Sequence, residues 1–285
     1  MSSFKIPTMT PVEIRPTISV DTLVSAFSVY RGEGYRFPGE SHNFWEMVYI
    51  SEGYAGITAG SQIYKCHSGA LIFHKPNEFH RIWNAGKKDI KFTVISFYAK
   101  GEYINALANK MLYLDKNGLE LMHKLQSEIE QNGPDDNYMP QNFRNNKAAV
   151  SKFVALLEFF LYECVKAPTN IEPKTTGSAA IFTAAVKAMN KHIDKPLKAN
   201  ELAEELHISL SQLKRIFNRY ALTGVHEYIL DLKIAKAKDL LSKGESVYNT
   251  AFALGFSNQN NFSATFKRET GTSPSKWANR NPREN

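Results

Sequence analysis

Cysteine is scarce in this chain, and long apolar runs are absent from it. The 285 residues include two cysteines, Cys66 and Cys164, which lie far apart and form neither a CxxC pair nor a metal-type cluster. This pattern argues against a disulfide framework and favours a reducing compartment. No uninterrupted apolar segment is long enough to span a bilayer, and the first sixteen residues contain no apolar core of a secretion signal. We therefore predict a cytoplasmic protein that does not enter the membrane.

Recognisable catalytic motifs are missing as well. No arrangement resembles a nucleophile with its base, and no glycine-rich loop is placed to bind phosphate. The segment GEGYRFPG at residues 32–39 contains glycine but does not lead into a helix. We predict that the protein is not an enzyme and that it carries no cofactor.

The charge is distributed unevenly along the chain. The net charge is +7, and residues 179–285 hold 16 Lys and Arg against 10 Asp and Glu, whereas the first 178 residues hold 19 against 18. A basic C-terminal third beside a nearly neutral remainder points to a polyanionic partner for that third. Solvated helices often carry a difference of this size, so the charge alone decides little.

Four segments follow one another along the chain, which is long enough for two domains. Residues 1–100 are rich in β-branched and aromatic residues between short turn clusters, which is typical of an antiparallel sandwich or barrel. Residues 101–165 have helical periods, with amphipathic helices predicted at 119–131 and 148–165, the second being a candidate subunit interface or a buried core helix. Residues 166–178 are predicted to be a linker. Residues 179–285 are predicted to be helical throughout, so the fold class is α+β and multidomain.

The helical third contains an internal repeat. Residues 202–219 align with residues 250–268, so that Ala203 matches Ala251 and Leu206 matches Leu254. Each copy is predicted to be a helix–turn–helix, with the turn made by His207 in the first copy and by Gly255 in the second. The predicted N-caps of the second helices are Ser209 and Ser257.

The outward faces of these second helices carry amides, hydroxyls and cations. A helix–turn–helix places its second helix in the DNA major groove, where Asn and Gln amides bind adenine and Arg or Lys binds guanine. A single copy of the pattern also occurs in ordinary helical hairpins. Two copies joined by a long helix are far more specific and predict a DNA-binding domain.

The residues of this third resemble the DNA-binding domain of the AraC/XylS family of transcription regulators. The resemblance rests on NELAEELHISLSQLKRIF, YILDLKIAKAKDLL and above all YNTAFALGFSNQNNFSATFKRETGTSPSKW. It implies a homodimer that binds double-stranded DNA through two successive major-groove segments, with RNA polymerase as a further candidate partner. The implied DNA-binding residues are Ser211, Lys214, Arg215, Gln259, Asn260, Ser263 and Lys267.

Two departures from the family pattern affect these roles. Ala264 stands where relatives often have Arg, so guanine recognition is lost there and Gln259 and Asn260 carry more of the second unit's recognition. Lys233 in the connecting helix also stands where Arg is usual, which weakens any bidentate bond from that position.

The first hundred residues are similar, more loosely, to the cupin-like barrel that many members of the family carry, followed by helices that form a dimer interface. The resemblance implies that a small molecule binds in the barrel, a sugar being one candidate class. The predicted effector-binding residues at the barrel mouth are His42, Trp45, Glu46, His80 and Arg81. Ordinary core or dimer packing explains Trp45 equally well.

A metal site in this barrel is an alternative. His42 and Glu46 are four residues apart and share one face of an extended strand, and His80 can converge on them from a later strand. The metal-binding cupin pattern has a second histidine where this chain has Phe44, so we predict no metal. A cupin metalloenzyme and a dimeric regulator without an effector are the alternatives to a sequence-specific, effector-modulated transcription regulator.

Overall fold

The computed structural model describes residues 13, 16–37, 39–134, 138–169, 171–173 and 177–280, without the side chains of the last two. The N-terminal part contains the predicted strands. They are β1 (Ser19–Arg31), β2 (Trp45–Glu52), β3 (Tyr54–Ala59), β4 (Gln62–His67), β5 (Ala70–His74), β6 (His80–Asn84), β7 (Ile90–Lys100) and β8 (Met111–Tyr113). Strand β8 lies in the segment that was predicted to be helical.

These strands form two antiparallel sheets. One has the order β1-β7-β2-β5-β8, and the other has the order β4-β3-β6. A shared apolar core, which includes Val48, Ile57, Ile72 and Phe92, lies between the sheets. The antiparallel prediction is thus confirmed, with two facing sheets in place of one closed ring. Ile171 of the predicted linker packs into this same core and is 5% exposed.

The other face of the larger sheet is covered by two helices, α1 (Lys116–Asn132) and α2 (Lys147–Lys166). Trp45, Met47 and Phe97 point to this face and pack with Leu125 and Phe153 in a second core. Because successive side chains of a strand point to opposite faces, β2 serves both cores and is buried over most of its length.

The described residues of the C-terminal part form helices and the turns between them, with no strand. Its helices are α3 (Gly177–Lys191), α4 (Ala199–Glu205), α5 (Leu210–Tyr220), α6 (Val225–Ser242), α7 (Val247–Ala253), α8 (Gln259–Thr270) and α9 (Pro274–Arg280). The first six agree with the predicted helices to within about two residues, and α9 was not predicted. No helix in the described part of the chain has both the length and the apolar character that crossing a membrane requires.

The two turns of the repeat have the predicted backbone conformation, but one cap differs. His207 has φ 53° and Gly255 has φ 66°, both in the left-handed region. Ser209 caps α5 by accepting a hydrogen bond from the Gln212 amide at 3.1 Å. The prediction for Ser257 was wrong: Asn258 caps α8, accepting from the Asn261 amide at 2.8 Å. The residue inserted in the second copy therefore lengthens the turn, and α8 begins one residue later than predicted.

The smaller sheet contacts the first helix–turn–helix unit. The Thr58 hydroxyl donates to the carbonyl of Tyr220, at the end of α5, over 3.1 Å. The Tyr228 hydroxyl of α6 donates to the Gly60 carbonyl at 3.3 Å, and its ring lies 5.0 Å from that of Phe79. Ile63 and Phe79 belong to the core of this unit, so the sheet is part of its packing.

Candidate functional site

The first candidate surface is the outward face of α5. Leu213, Ile216 and Phe217 are buried against the core, because they recur at helical spacing on one side. Ser211, Lys214 and Arg215 are exposed on the other side, together with Asn218. The structure thus brings the three predicted DNA-binding residues of this unit onto one solvent-facing surface near the helix N-terminus.

The outward face of α8 is its counterpart in the second unit. Phe262 and Phe266 are fully buried, whereas Gln259, Asn260 and Lys267 are exposed and Ser263 is half-buried. When the two helices are aligned on their caps, Ser209 and Asn258, Asn260 takes the position of Ser211. Ala264, which is exposed, takes the position of Arg215. The second face therefore has the same geometry with one long cation fewer.

Lys233 of α6 joins the two units, a role that the sequence reasoning missed. Its Nζ donates to the carbonyl of Lys195 at 3.0 Å and to that of Leu254, at the end of α7, at 2.7 Å. The side chain is 8% exposed, and burial lowers the pKa of its ammonium group, with Asp194 opposing the shift. A cation at the end of a helix satisfies carbonyls that have no partner within the helix. Lys233 is placed to bond backbone groups and not DNA.

A second candidate site lies between the two sheets, in a cavity of about 530 Å³. Three of the predicted effector residues meet there: the Nε2 atom of His80 is 3.2 Å from Glu46 Oε1, and that of His42 is 3.5 Å from Glu46 Oε2. The Ser96 hydroxyl donates to Glu46 Oε2 at 2.9 Å. The wall includes aromatic side chains of Phe27, Tyr35 and Phe92.

The electrostatics of this cluster are dominated by burial and by the carboxylate. Burial alone would raise the pKa of Glu46, but hydrogen bonding and charge from His42 and His80 outweigh it and hold the pKa well below its usual value. Burial likewise opposes a charged His80, yet Glu46 outweighs it and raises the pKa of the imidazole. His74, which is stacked on His80 at 4.3 Å, has its pKa lowered by burial.

Glu40 is a further member of the cluster that the sequence reasoning missed. Its backbone exchanges two hydrogen bonds of 3.0 Å with His80, which brings its Oε1 to 3.8 Å from His80 Nε2. The sequence offered a partial signal in the even spacing of residues 40, 42 and 46, although the chain bends at residues 43 and 44 and β2 begins only at Trp45.

Of the other two predicted effector residues, Arg81 lies in the wall of the cavity through strand β6, whereas Trp45 does not line it. Trp45 is 4% exposed and packs in the core beneath α1 and α2, on the opposite face of β2 from Glu46. Arg81 is paired in register with Thr58, whose side chain contacts α5, so it too faces away from the shared core. Arg81 is 1% exposed, and burial, with repulsion from Arg36, lowers its pKa to about 10.

Comparison with known families decides the identity of the chain. Residues 24–145 match the AraC-like ligand binding domain, and residues 202–280 match a helix-turn-helix domain. The chain belongs to the AraC/XylS family of transcription regulators. The cavity between the sheets lies within the first matched region, and α5 and α8 lie within the second. The chain is thus a DNA-binding regulator of the AraC type with a ligand-binding N-terminal domain.

Similar AraC/XylS-family proteins include the regulator ArgR of Pseudomonas aeruginosa, which is 31% identical over 94 residues, 33% of this chain and 29% of that protein. The transcriptional activator RhaR of Mannheimia succiniciproducens is 21% identical over 253 residues, 86% of this chain and 88% of that one. The first match spans less than a third of its relative, whereas the second spans nearly all of it. Among solved structures, ToxT of Vibrio cholerae has a TM-score of 0.39 at 16% identity, with 95% of this chain and 100% of that chain covered.

Proposed function

We propose that this regulator recognises a specific DNA sequence by placing α5 and α8 in two successive segments of the major groove. The observation that carries the proposal is the pair of capped helices with polar exposed faces, which Lys233 holds together through backbone bonds on both sides. Residues near the N-terminus of such a helix contact base edges, and basic or hydroxyl side chains contact phosphates. The proposed base contacts are Ser211, Lys214, Arg215, Gln259 and Asn260, and the proposed phosphate contacts are Ser263 and Lys267.

Binding to a selected operator and to random DNA tests this proposal. Arg215→Ala and Gln259→Ala should each cost about 1–3 kcal/mol on the operator and little on random DNA, because they remove base contacts. Lys267→Ala should weaken binding to both DNAs alike. It should also lower the slope of log affinity against log salt concentration by about 1. Arg268→Ala is the matched control, since Arg268 is exposed on the same helix but bonds Glu269 at 2.7 Å. Equal losses on both DNAs for Arg215→Ala would show that this residue contacts phosphate alone.

We also propose that a small-molecule effector binds in the cavity between the sheets, with His42, Glu46 and His80 supplying the polar contacts. The cavity has the usual composition of a ligand site, with aromatic walls and a few convergent polar groups. Sugars and organic acids are the classes to screen, and a tight ligand should raise the midpoint of thermal unfolding by mass action. His80→Ala should abolish this rise in the midpoint, because it removes a polar contact in the cavity. His67→Ala, at an exposed position, is the control and should keep the rise. An unchanged midpoint across the screen would favour a regulator that needs no effector.

The proposed dimer interface is the outer side of α2. Phe159 is 54% exposed there, and Ala155, one turn before it, is also exposed. Phe159→Glu should therefore convert a dimer into a monomer in sedimentation experiments, whereas Lys147→Glu, which is exposed on a different side of α2, should not. As a DNA-binding protein it would act in the cytoplasm. Contact with RNA polymerase is a proposal that rests on the family resemblance.

A further inference from the structure

We propose that His42, Glu46, His80 and Glu40 bind one divalent transition-metal ion in the cavity between the sheets. These four side chains offer two imidazole nitrogens and two carboxylate oxygens, all within 4.8 Å of one another. The site coincides with the proposed effector cavity, but the inference needs neither an effector nor DNA.

The orientation of the two histidines favours a metal. His42 Nδ1 lies 3.2 Å from the Phe44 carbonyl, and His80 Nδ1 lies 3.0 Å from the Glu78 carbonyl. A carbonyl can only accept, so each Nδ1 carries a proton, and in the neutral imidazole the lone pair is on Nε2 and faces Glu46. This is the arrangement of metal-binding histidines, which donate their other ring nitrogen to a backbone or carboxylate oxygen.

The two Nε2 atoms face Glu46 without a well-formed hydrogen bond to it. Both are buried, and neither has a hydrogen-bond partner in suitable geometry among the described residues, although Glu46 is close to each. A buried polar atom without a partner costs about 1–3 kcal/mol. One ion between them would satisfy both neutral nitrogens and the carboxylate at once, whereas protons would do so only by turning both buried imidazoles into cations.

Distances and charge agree with this assignment. Four ligands at zinc–nitrogen and zinc–oxygen bond lengths are about 3.3 Å apart in a tetrahedron. Three separations are close to this value: 3.2 Å from His80 Nε2 to Glu46 Oε1, 3.5 Å from His42 Nε2 to Glu46 Oε2 and 3.8 Å from His80 Nε2 to Glu40 Oε1. The ligand atoms of the four side chains all lie within 4.8 Å of one another, so small side-chain shifts would complete a tetrahedron. Two neutral imidazoles and two carboxylates together carry the charge of −2 that balances a divalent ion.

The donor types restrict the metal. Mixed imidazole and carboxylate ligands suit Zn²⁺ and the neighbouring transition metals, whereas Ca²⁺ and Mg²⁺ prefer oxygen ligands alone. Glu40 is the most exposed member, with 49% of its side chain accessible, so the ion would be approached from that side. His74 stacks on His80 at 4.3 Å but is not among the four side chains whose ligand atoms converge.

Metal analysis of the full chain tests the inference. Chelator-stripped protein is dialysed against buffered Zn²⁺ and its metal content is measured. We expect about one ion per chain for the wild type and at least a tenfold loss of affinity in His80→Ala and Glu46→Gln. His74→Asn is the matched control, since it alters a buried histidine that stacks on His80 and should keep full binding. Well under one ion per chain in the wild type, or equal binding by wild type and His80→Ala, would overturn the proposal.

Two further measurements keep the test decisive if a buried variant fails to fold. Glu40→Gln changes an exposed side chain and should fold, yet it should weaken Zn²⁺ binding severalfold. Co²⁺-loaded wild type should show the visible absorption of a four-coordinate site, and an octahedral spectrum would contradict the proposed geometry. Operator binding is measured in parallel, so that failure at the metal site is distinguished from failure of DNA recognition.

Discussion

The first helix–turn–helix unit packs against the smaller sheet, whereas the core of the second unit consists of helix and turn residues from the C-terminal part. Ile63 and Phe79 of the sheet domain join the first core, and Thr58 bonds the end of α5. The second core is built around Phe262 and Phe266 with residues of α6, α7 and α9. The two copies share a plan, but among the described residues only the first core takes in side chains of the domain with the cavity. That domain also contacts α6, where Lys238 Nζ donates to the Ser41 carbonyl at 3.5 Å.

The turns of the two units also differ in how closely other parts of the chain approach them. A Cβ atom at Gly255 would lie 2.5 Å from the Asp194 carbonyl oxygen, so the second turn is pressed against the segment before α4. His207 occupies the matching turn of the first unit with a side chain in place. The turn of the second unit thus has no room for a Cβ atom, whereas the turn of the first unit accommodates a histidine side chain.

The largest effect is expected from Gly255→Ala. It combines the left-handed φ of 66° with the collision against Asp194, and it should lower the free energy of unfolding by about 2–3 kcal/mol. Gly244→Ala is the matched control, because Gly244 has φ 87° with open space around it and should lose only about 1 kcal/mol. His207→Gly should cost nothing. Urea unfolding measures all three, and similar losses at Gly255 and Gly244 would contradict the close approach.

The next effect concerns the bond between the units. Lys233→Met keeps the apolar stem but removes both charge-assisted bonds to backbone carbonyls, and it should cost about 2 kcal/mol. Lys236→Met, on the exposed side of the same helix, removes only a surface pair with Asp239 and should cost less than about 0.5 kcal/mol. A two-step unfolding curve for Lys233→Met would sharpen the comparison, since it would mean that the units unfold separately.

Ala264→Arg would give the exposed face of α8 as many long cations as the exposed face of α5. The new cation matches Arg215 in register, so affinity for random DNA should rise and the salt slope should increase by about 1. Ala264→Gln has a long side chain without charge and should leave the slope unchanged. Salt titrations of DNA binding distinguish the two variants, and identical slopes would place position 264 away from the DNA.

The smallest expected effect is a pH dependence of the free energy of unfolding, which arises at Asp231 of α6. Burial, together with repulsion from Glu269 and Glu227, raises the pKa of Asp231 to about 6. The folded state therefore binds this proton more tightly than the unfolded state, and the ionised form costs stability above pH 6. Asp231→Asn should raise stability above pH 6 by about 0.5 kcal/mol after allowance for solvent screening, and the gain should vanish below about pH 4. A gain that is independent of pH would rule out this cause.

Much of the helical third was predictable because its signals are local. These signals are the helical periods, the glycine and the histidine in the turns, and the pair Phe262 and Phe266. Each of them acts within a few residues of the chain. The cap of α8 was missed because Ser257 and Asn258 are both good caps, and only the packed turn decides between them. Strand β8 was missed because its three residues are too few to show an alternating pattern. It is a strand because it pairs with β5, which the local sequence does not reveal.

The sequence by itself determined the family, the two copies of the DNA-binding motif and the residues on their outward faces, because helical periodicity separates a buried side from an exposed one. Only the tertiary structure decided which side chains meet across strands. It brought Glu40 to His80 and placed Lys233 between the end of α7 and the segment before α4. These contacts join residues far apart in the chain, and their partners are fixed by strand register and helix packing.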